Sequence, residues 1–143
     1  VHMNPYDATN SEPNFWLSCM IIEPRAMCKQ VRGGLEALYI GEAGKSCPTE
    51  ILDAIASINA EGRPIWKPMH MQPIYRMNAF VTREGNGRAK TNAYISGGSL
   101  GKDGKPLDVG MDIFHRGLCL PSDNKMTAEQ QDRIIKVIRE CFA

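Results

Sequence analysis

The sequence has no apolar run of membrane-spanning length. A span needs about 20 consecutive apolar residues, and the 143 residues contain nothing close to it, so no membrane partner is expected. It has no excess of either charge. Lys and Arg number 17 against 16 Asp and Glu, for a net charge of +1, which gives no overall attraction to nucleic acid. Histidine is scarce, with only His2, His70 and His115, all far apart. The five cysteines (Cys19, Cys28, Cys47, Cys119 and Cys141) include no CxxC pair. No Cys–His ligand spacing appears, so no metal is expected. An odd number of cysteines cannot close into disulfides alone, and no secretory signal opens the chain. Packed, unpaired thiols in a reducing cytoplasm are the expectation.

What is present suits a single small domain. Hydrophobic residues make up 43% of the chain, enough for a modest core at this length. Val1-His2-Met3 reads as a vector-derived scar, and Asn4 to Asn14, with Pro5 and Pro13, reads as a linker. A domain over 15–143 that opens on a linker is expected to be one piece of a larger protein.

Periodicity places the elements. Phe15 to Ile22 is nearly continuous in apolar residues and predicts a strand buried on both faces. Pro24 to Arg32 predicts a short helix led by proline. Pro48 to Asn59 is a stronger helix, with Ile51, Leu52, Ile55 and Ile58 on one stripe and Gly62 placed to stop it. Arg63 to Trp66 predicts a strand that Pro64 confines to an edge or a strand start. Ile74 to Phe80 predicts a turn or two of helix.

Thr82 to Leu107 holds Gly85, Gly87, Gly97, Gly98, Gly101 and Gly104 and predicts a long mobile loop. Arg83, Arg88, Lys90, Lys102 and Lys105 make that loop basic. Asp108 to Arg116 predicts a helix capped by Asp108 and stopped by Gly117. Leu118 to Leu120 predicts a brief strand. Thr127-x-x-Gln130 is a capping box for a final helix whose stripe is Ile134, Ile135, Ile138 and Phe142. Few short strands among several helices predict an α/β (α+β) fold: a small two-layer sandwich, its short mixed sheet covered by helices on one face.

Three segments bear on chemistry. Gly41-Glu-Ala-Gly-Lys-Ser46 has the end of a phosphate-binding P-loop, but that motif requires glycine where Tyr39 stands, so an exposed turn is expected. A Cys–His nucleophilic pair is not expected, because Cys19 and Cys119 sit among apolar neighbours. Arg63-Pro-Ile-Trp-Lys-Pro-Met-His70 is the informative one. It sets a guanidinium, an indole, an ammonium and an imidazole on a proline-stiffened run. Trp66 offers a flat surface for a base or sugar. Arg63 and Lys67 are placed to attract phosphate, and His70 to hydrogen-bond a hydroxyl. The same residues also suit a structural edge loop whose Trp66 fills the core.

Arg63-Pro-Ile-Trp-Lys-Pro-Met-His-Met-Gln-Pro73 resembles the hallmark segment of the DegT/DnrJ/EryC1/StrS family of sugar aminotransferases, in the branch that makes amino sugars for pilin glycans and surface polysaccharides. Asn14 to Ile21 is similar to the first small-domain strand of that branch, and Asp112 to Ser122 with the helix from Thr127 is similar to its C-terminal end. The three blocks stand in family order and span most of the chain. Pro24 to Ser46 and Thr82 to Leu107 look longer than the corresponding family segments.

The resemblance implies the small C-terminal domain of a fold like that of aspartate aminotransferase. A large N-terminal domain would carry the Schiff-base lysine and hold pyridoxal phosphate. The whole enzyme would move an amino group from glutamate to a nucleotide-linked keto-sugar, working as a homodimer. Substrate binding would fall to Trp66, Lys67, His70 and Arg63, with no catalytic or cofactor-binding residue in this chain and no cofactor bound to it alone. Two other readings stay open: the same domain of a pyridoxal phosphate-dependent sugar dehydratase, or a stand-alone non-catalytic ligand-binding or interaction module.

Overall fold

Short runs of two or three residues form the central sheet. In the computed structural model, residues 1–32, 38–75, 78–82, 85–88, 102–106 and 108–143 are described. Strand β1 is His2–Met3, β2 Cys19–Ile21, β3 Lys29–Val31, β4 Leu38–Ile40, β5 Arg63–Pro64, β6 Ala79–Thr82, β7 Gly85–Arg88 and β8 Gly117–Cys119. Helix α1 is Pro48–Ser57, α2 Val109–Arg116 and α3 Ala128–Glu140. Two compact units result: Val1–Ile65 with Arg116–Ala143, and Trp66–His115.

The first unit is built on a four-stranded sheet in the order β1-β2-β8-β5. Met20 pairs with Leu118, and both point to one face together with Ile22. All three are buried there, at 4%, 0% and 0% exposure. Ile51 and Ile55 of α1 and Ile134 and Ile138 of α3 complete that core. Burying each such aliphatic side chain contributes about 1.5–3 kcal/mol. The α+β architecture is as expected. Every pairing in this sheet is antiparallel, however, not mixed. Strand direction is set by how distant segments return to the sheet, which local patterning does not encode.

Several local expectations are corrected. The predicted strand 15–22 shortens to Cys19–Ile21. Phe15 takes a left-handed φ of 52°, which an extended strand cannot accommodate. Phe15 and Trp16 are 73% and 67% exposed, not buried on two faces. His2–Met3, read as a scar, forms the sheet's edge strand against Met20 and Ile21. The helix expected over 24–32 is a single 3-10 turn, Pro24–Ala26. Beyond it the Cys28 N–H donates to the Ser46 carbonyl, which removes the helical bond that amide would make. Lys29–Val31 then pairs with Leu38–Ile40.

Helix α1 follows its predicted stripe, with Ile51 and Ile55 buried and Leu52 and Ile58 partly so. Its stop is Asn59, not Gly62. Asn59 adopts φ 60°. The Asn59 and Ala60 amides donate to the Ala56 and Ile55 carbonyls at 2.9 and 3.1 Å, which is a Schellman closure. Gly62 serves packing instead: a Cβ there would lie 2.6 Å from Ile55 Cδ1 and 2.8 Å from Leu52 Cδ2. Helix α3 starts on the full capping box between Thr127 and Gln130. Ile135 is 39% exposed and leaves the predicted stripe, because one residue turns a helix by about 100°.

In the second unit, 3-10 turns at Met69–Met71 and Pro73–Tyr75 follow the prolines. Ala79–Thr82 pairs with Gly85–Arg88 as an antiparallel hairpin. The helix expected over 74–80 is met by a single 3-10 turn at Ile74 and Tyr75, strand stands at Ala79 and Phe80, residues 76–77 lie outside the described residues, and β7 occupies 85–88 of the predicted loop. Residues 89–101 and 107 of that predicted loop lie outside the described residues, as do Arg83 and Glu84. Met71 and Met111 are buried against each other with Phe114 packed on them. Among the described residues no helix is long and apolar enough to cross a membrane.

Candidate functional site

The run after Pro64 carries Pro68 and Pro73, which fix the backbone φ at those positions. Gln72 Nε2 donates to the Lys67 carbonyl at 3.2 Å and closes the loop on itself. Pro68 lies against Gly110 on α2, where a Cβ would approach Pro68 Cγ to 3.2 Å. Within the 3-10 turn, consecutive side chains diverge. Met71 enters the apolar cluster with Met111, while His70 Nε2 meets Asp108 Oδ2 at 2.5 Å. Both side chains of that pair are mostly covered, at 17% and 23% exposure.

Asp108 does two things at once. Its Oδ1 accepts from the Met111 N–H at 2.9 Å, the N-cap bond predicted for α2. Its Oδ2 fixes the imidazole. A carboxylate on Nε2 orients the ring. Trp66 presents its indole at 61% exposure, and Lys67 is half-buried. An aromatic plane and a held imidazole on one rigid run can stack a ring and hydrogen-bond a hydroxyl.

Of the four residues read from the sequence as substrate-binding, Trp66, Lys67 and His70 fall in the second unit. Trp66 does not fill a core. Arg63 belongs to the first unit, in β5, where its guanidinium pairs with Glu61 at 2.5 Å. Asp108 was legible in the sequence only as a helix cap. Its bond to His70 spans 38 residues, and no local signal reports that. Of the basic residues expected over 82–107, Lys102 and Lys105 are exposed, and Lys105 lies 3.9 Å from Asp103.

A second polar cluster, in the first unit, was not anticipated. Cys28, Cys47 and Glu50 bring two sulfurs and a carboxylate oxygen within 4.8 Å of one another. Burial pushes the Cys28 thiol up to about 12, with the Cys47 thiol beside it adding to the effect. Ser46 Oγ donates to Glu50 Oε2 at 2.7 Å, and Thr49 Oγ1 donates to Gln30 Oε1 at 3.1 Å. The sequence signal was the spacing Cys47-x-x-Glu50, which sets a cap residue and a first-turn carboxylate on one side of a helix start.

The neighbouring Gly41–Ser46 segment is the expected turn. Gly44 takes φ 75°, Lys45 pairs with Glu42 at 2.6 Å, and the Ser46 amide donates to the Ala26 carbonyl. A second thiol pair, Cys19 and Cys119, faces across β2 and β8 with sulfurs 3.7 Å apart.

No family model matches the chain. Over 95 residues, 66% of the chain, it is 34% identical to EpsN of Bacillus subtilis (strain 168), a protein provisionally named a pyridoxal phosphate-dependent aminotransferase. The matched residues make up 19% of the length of that relative. The similarity supports a link to aminotransferases.

Proposed function

We propose that this chain is the small, substrate-closing domain of a cytoplasmic pyridoxal phosphate-dependent aminotransferase of the DegT/DnrJ/EryC1/StrS family. The whole enzyme would transfer an amino group from glutamate to a nucleotide-linked keto-sugar for glycan or surface polysaccharide biosynthesis. It would act as a homodimer whose large domain holds the cofactor. The observation that carries the aminotransferase part is the 34% identity to EpsN. The sugar-nucleotide part rests on the exposed indole of Trp66 and the Asp108-held imidazole of His70.

Pyridoxal phosphate, when bound, supplies the electron sink for amino-group transfer. The described residues of this chain do not fit it. An imine-forming lysine is made nucleophilic by desolvation or by a neighbouring cation, and no described lysine is buried. The chain's own part is binding and orientation: Trp66 stacks on a ring of the substrate, Lys67 neutralises phosphate charge, and His70, held by Asp108, positions a hydroxyl. Arg63 belongs to the first unit, where it pairs with Glu61, and is left out of this set.

The test is a glutamate-dependent transamination assay with nucleoside-diphosphate 4-keto-hexoses on the longer protein encoded by the reading frame that contains this chain. Trp66→Ala and His70→Ala should each raise KM for the sugar nucleotide by roughly tenfold or more while KM for glutamate stays constant. Unchanged sugar-nucleotide KM in both variants would remove the binding role. Absence of amino transfer to any such sugar would remove the reaction.

A further inference from the structure

We infer that Cys28, Cys47 and Glu50 form a binding site for one thiophilic divalent metal ion of the zinc class. The geometry comes from two separate segments of the chain. The parallel bridge between Met27 and Ser46 sets the next residues on each segment, Cys28 and Cys47, side by side. The Cys28 amide donates to the Ser46 carbonyl at 3.0 Å, and the Ser46 amide donates to the Ala26 carbonyl at 3.0 Å, so this pairing is held from both sides. Cys47 is also the cap residue of α1, and Glu50 is in the first turn of that helix. The carboxylate therefore returns over the helix start toward the two sulfurs.

The ligand set is chemically specific. Two thiolates and one carboxylate favour zinc over magnesium or calcium, which take all-oxygen ligands. A tetrahedral ion with bonds of about 2.0–2.3 Å holds its ligand atoms about 3.5–3.8 Å apart. The three atoms here lie within 4.8 Å of one another, so closing onto an ion shortens any separation by roughly 1.3 Å at most, within reach of side-chain torsions. Cys28 and Cys47 are buried, at 4% and 0% exposure. Ser46 Oγ, bonded to Glu50 Oε2 at 2.7 Å, orients the carboxylate as outer-shell donors do at metal sites.

Charge also fits. Three anionic ligands around a divalent ion leave one net negative charge, beside the positive N-terminal end of α1. On binding, the thiol protons of Cys28 and Cys47 pass to solvent, two metal–sulfur and one metal–oxygen bonds form, and water completes the fourth position.

The probe is cobalt(II), titrated into the reduced chain under a non-coordinating buffer and then displaced with zinc(II). One equivalent should produce sulfur-to-cobalt charge-transfer absorption with the visible bands of a tetrahedral ion, and one equivalent of zinc should abolish them. Cys28→Ser and Cys47→Ser should each lose the charge-transfer band, with folding checked by circular dichroism. Ser46→Ala should weaken affinity roughly tenfold, and the Cys19→Ser/Cys119→Ser double variant should bind as the parent does. In the unmodified chain, zinc should shield Cys28 and Cys47 from alkylation, mapped by peptide mass. That measurement holds even where a serine variant fails to fold. No band at one equivalent, a band kept in Cys28→Ser/Cys47→Ser, or shielding that maps to Cys19 and Cys119 would each overturn the site.

Discussion

Asp108 grips the His70 ring at 2.5 Å with one carboxylate oxygen while the other caps α2 through the Met111 amide. The two bonds are separable by substitution. Asparagine caps a helix as well as aspartate does, but it brings no charge to the imidazole. Asp108→Asn should therefore cost less stability than Asp108→Ala, which loses about 1 kcal/mol from the cap alone. Denaturant unfolding of both variants, each with and without His70→Ala, isolates the coupling. A zero interaction energy across that cycle would mean the imidazole gains nothing from Asp108.

Gly62 is a packing constraint on α1. Its hydrogen occupies space that a methyl group would contest with Ile55 Cδ1 at 2.6 Å and the Cys119 carbonyl at 3.0 Å. Gly62→Ala should destabilise the chain by roughly 1–3 kcal/mol, as overpacking does. Gly41→Ala, with open space around it, is the control. Equal urea midpoints for the two variants would contradict this account.

The two adjacent isoleucines of α3 should behave differently. Ile134 is 8% exposed within the core, and Ile135 is 39% exposed. Ile134→Ala should cost about 2–5 kcal/mol, and Ile135→Ala well under half of that. Thr127→Ala removes one arm of the capping box and should cost about 1 kcal/mol. Thermal melts of the three variants give the ordering directly, and a larger loss at Ile135 would place the helix face wrongly.

Alkaline pH should expose the Cys119 thiol as a stability group. Burial, helped by the bond to the Cys19 thiol, pushes it up to about 11 from an ordinary 9.0. The folded state therefore favours the neutral thiol. Its contribution is complete below pH 9 and is lost as pH rises through about 11. Melting midpoints followed from pH 8 to 11 should fall more steeply in the parent than in Cys119→Ala. Parallel curves would show that Cys119 does not titrate in that window.

The sequence alone determined what depends on neighbours within a turn or two. The stripe of α1, the Thr127 capping box, the Asp108 cap, the edge position of Pro64 and the turn at Gly44 were all legible, because hydrogen bonds and side-chain contacts over three or four residues dictate them. The α+β class followed from the same patterns. Only the tertiary structure decided what depends on distant segments meeting. It made the sheet antiparallel throughout and drew His2–Met3 into it. It confined β2 to Cys19–Ile21, with a left-handed Phe15 outside the strand, and it made Gly62 a packing site where a helix stop was expected. It brought Asp108 to His70 across 38 residues, and Cys28 to Cys47 and Glu50. Such contacts are fixed by how buried faces pair once the chain has closed, and spacing along the sequence carries no record of that.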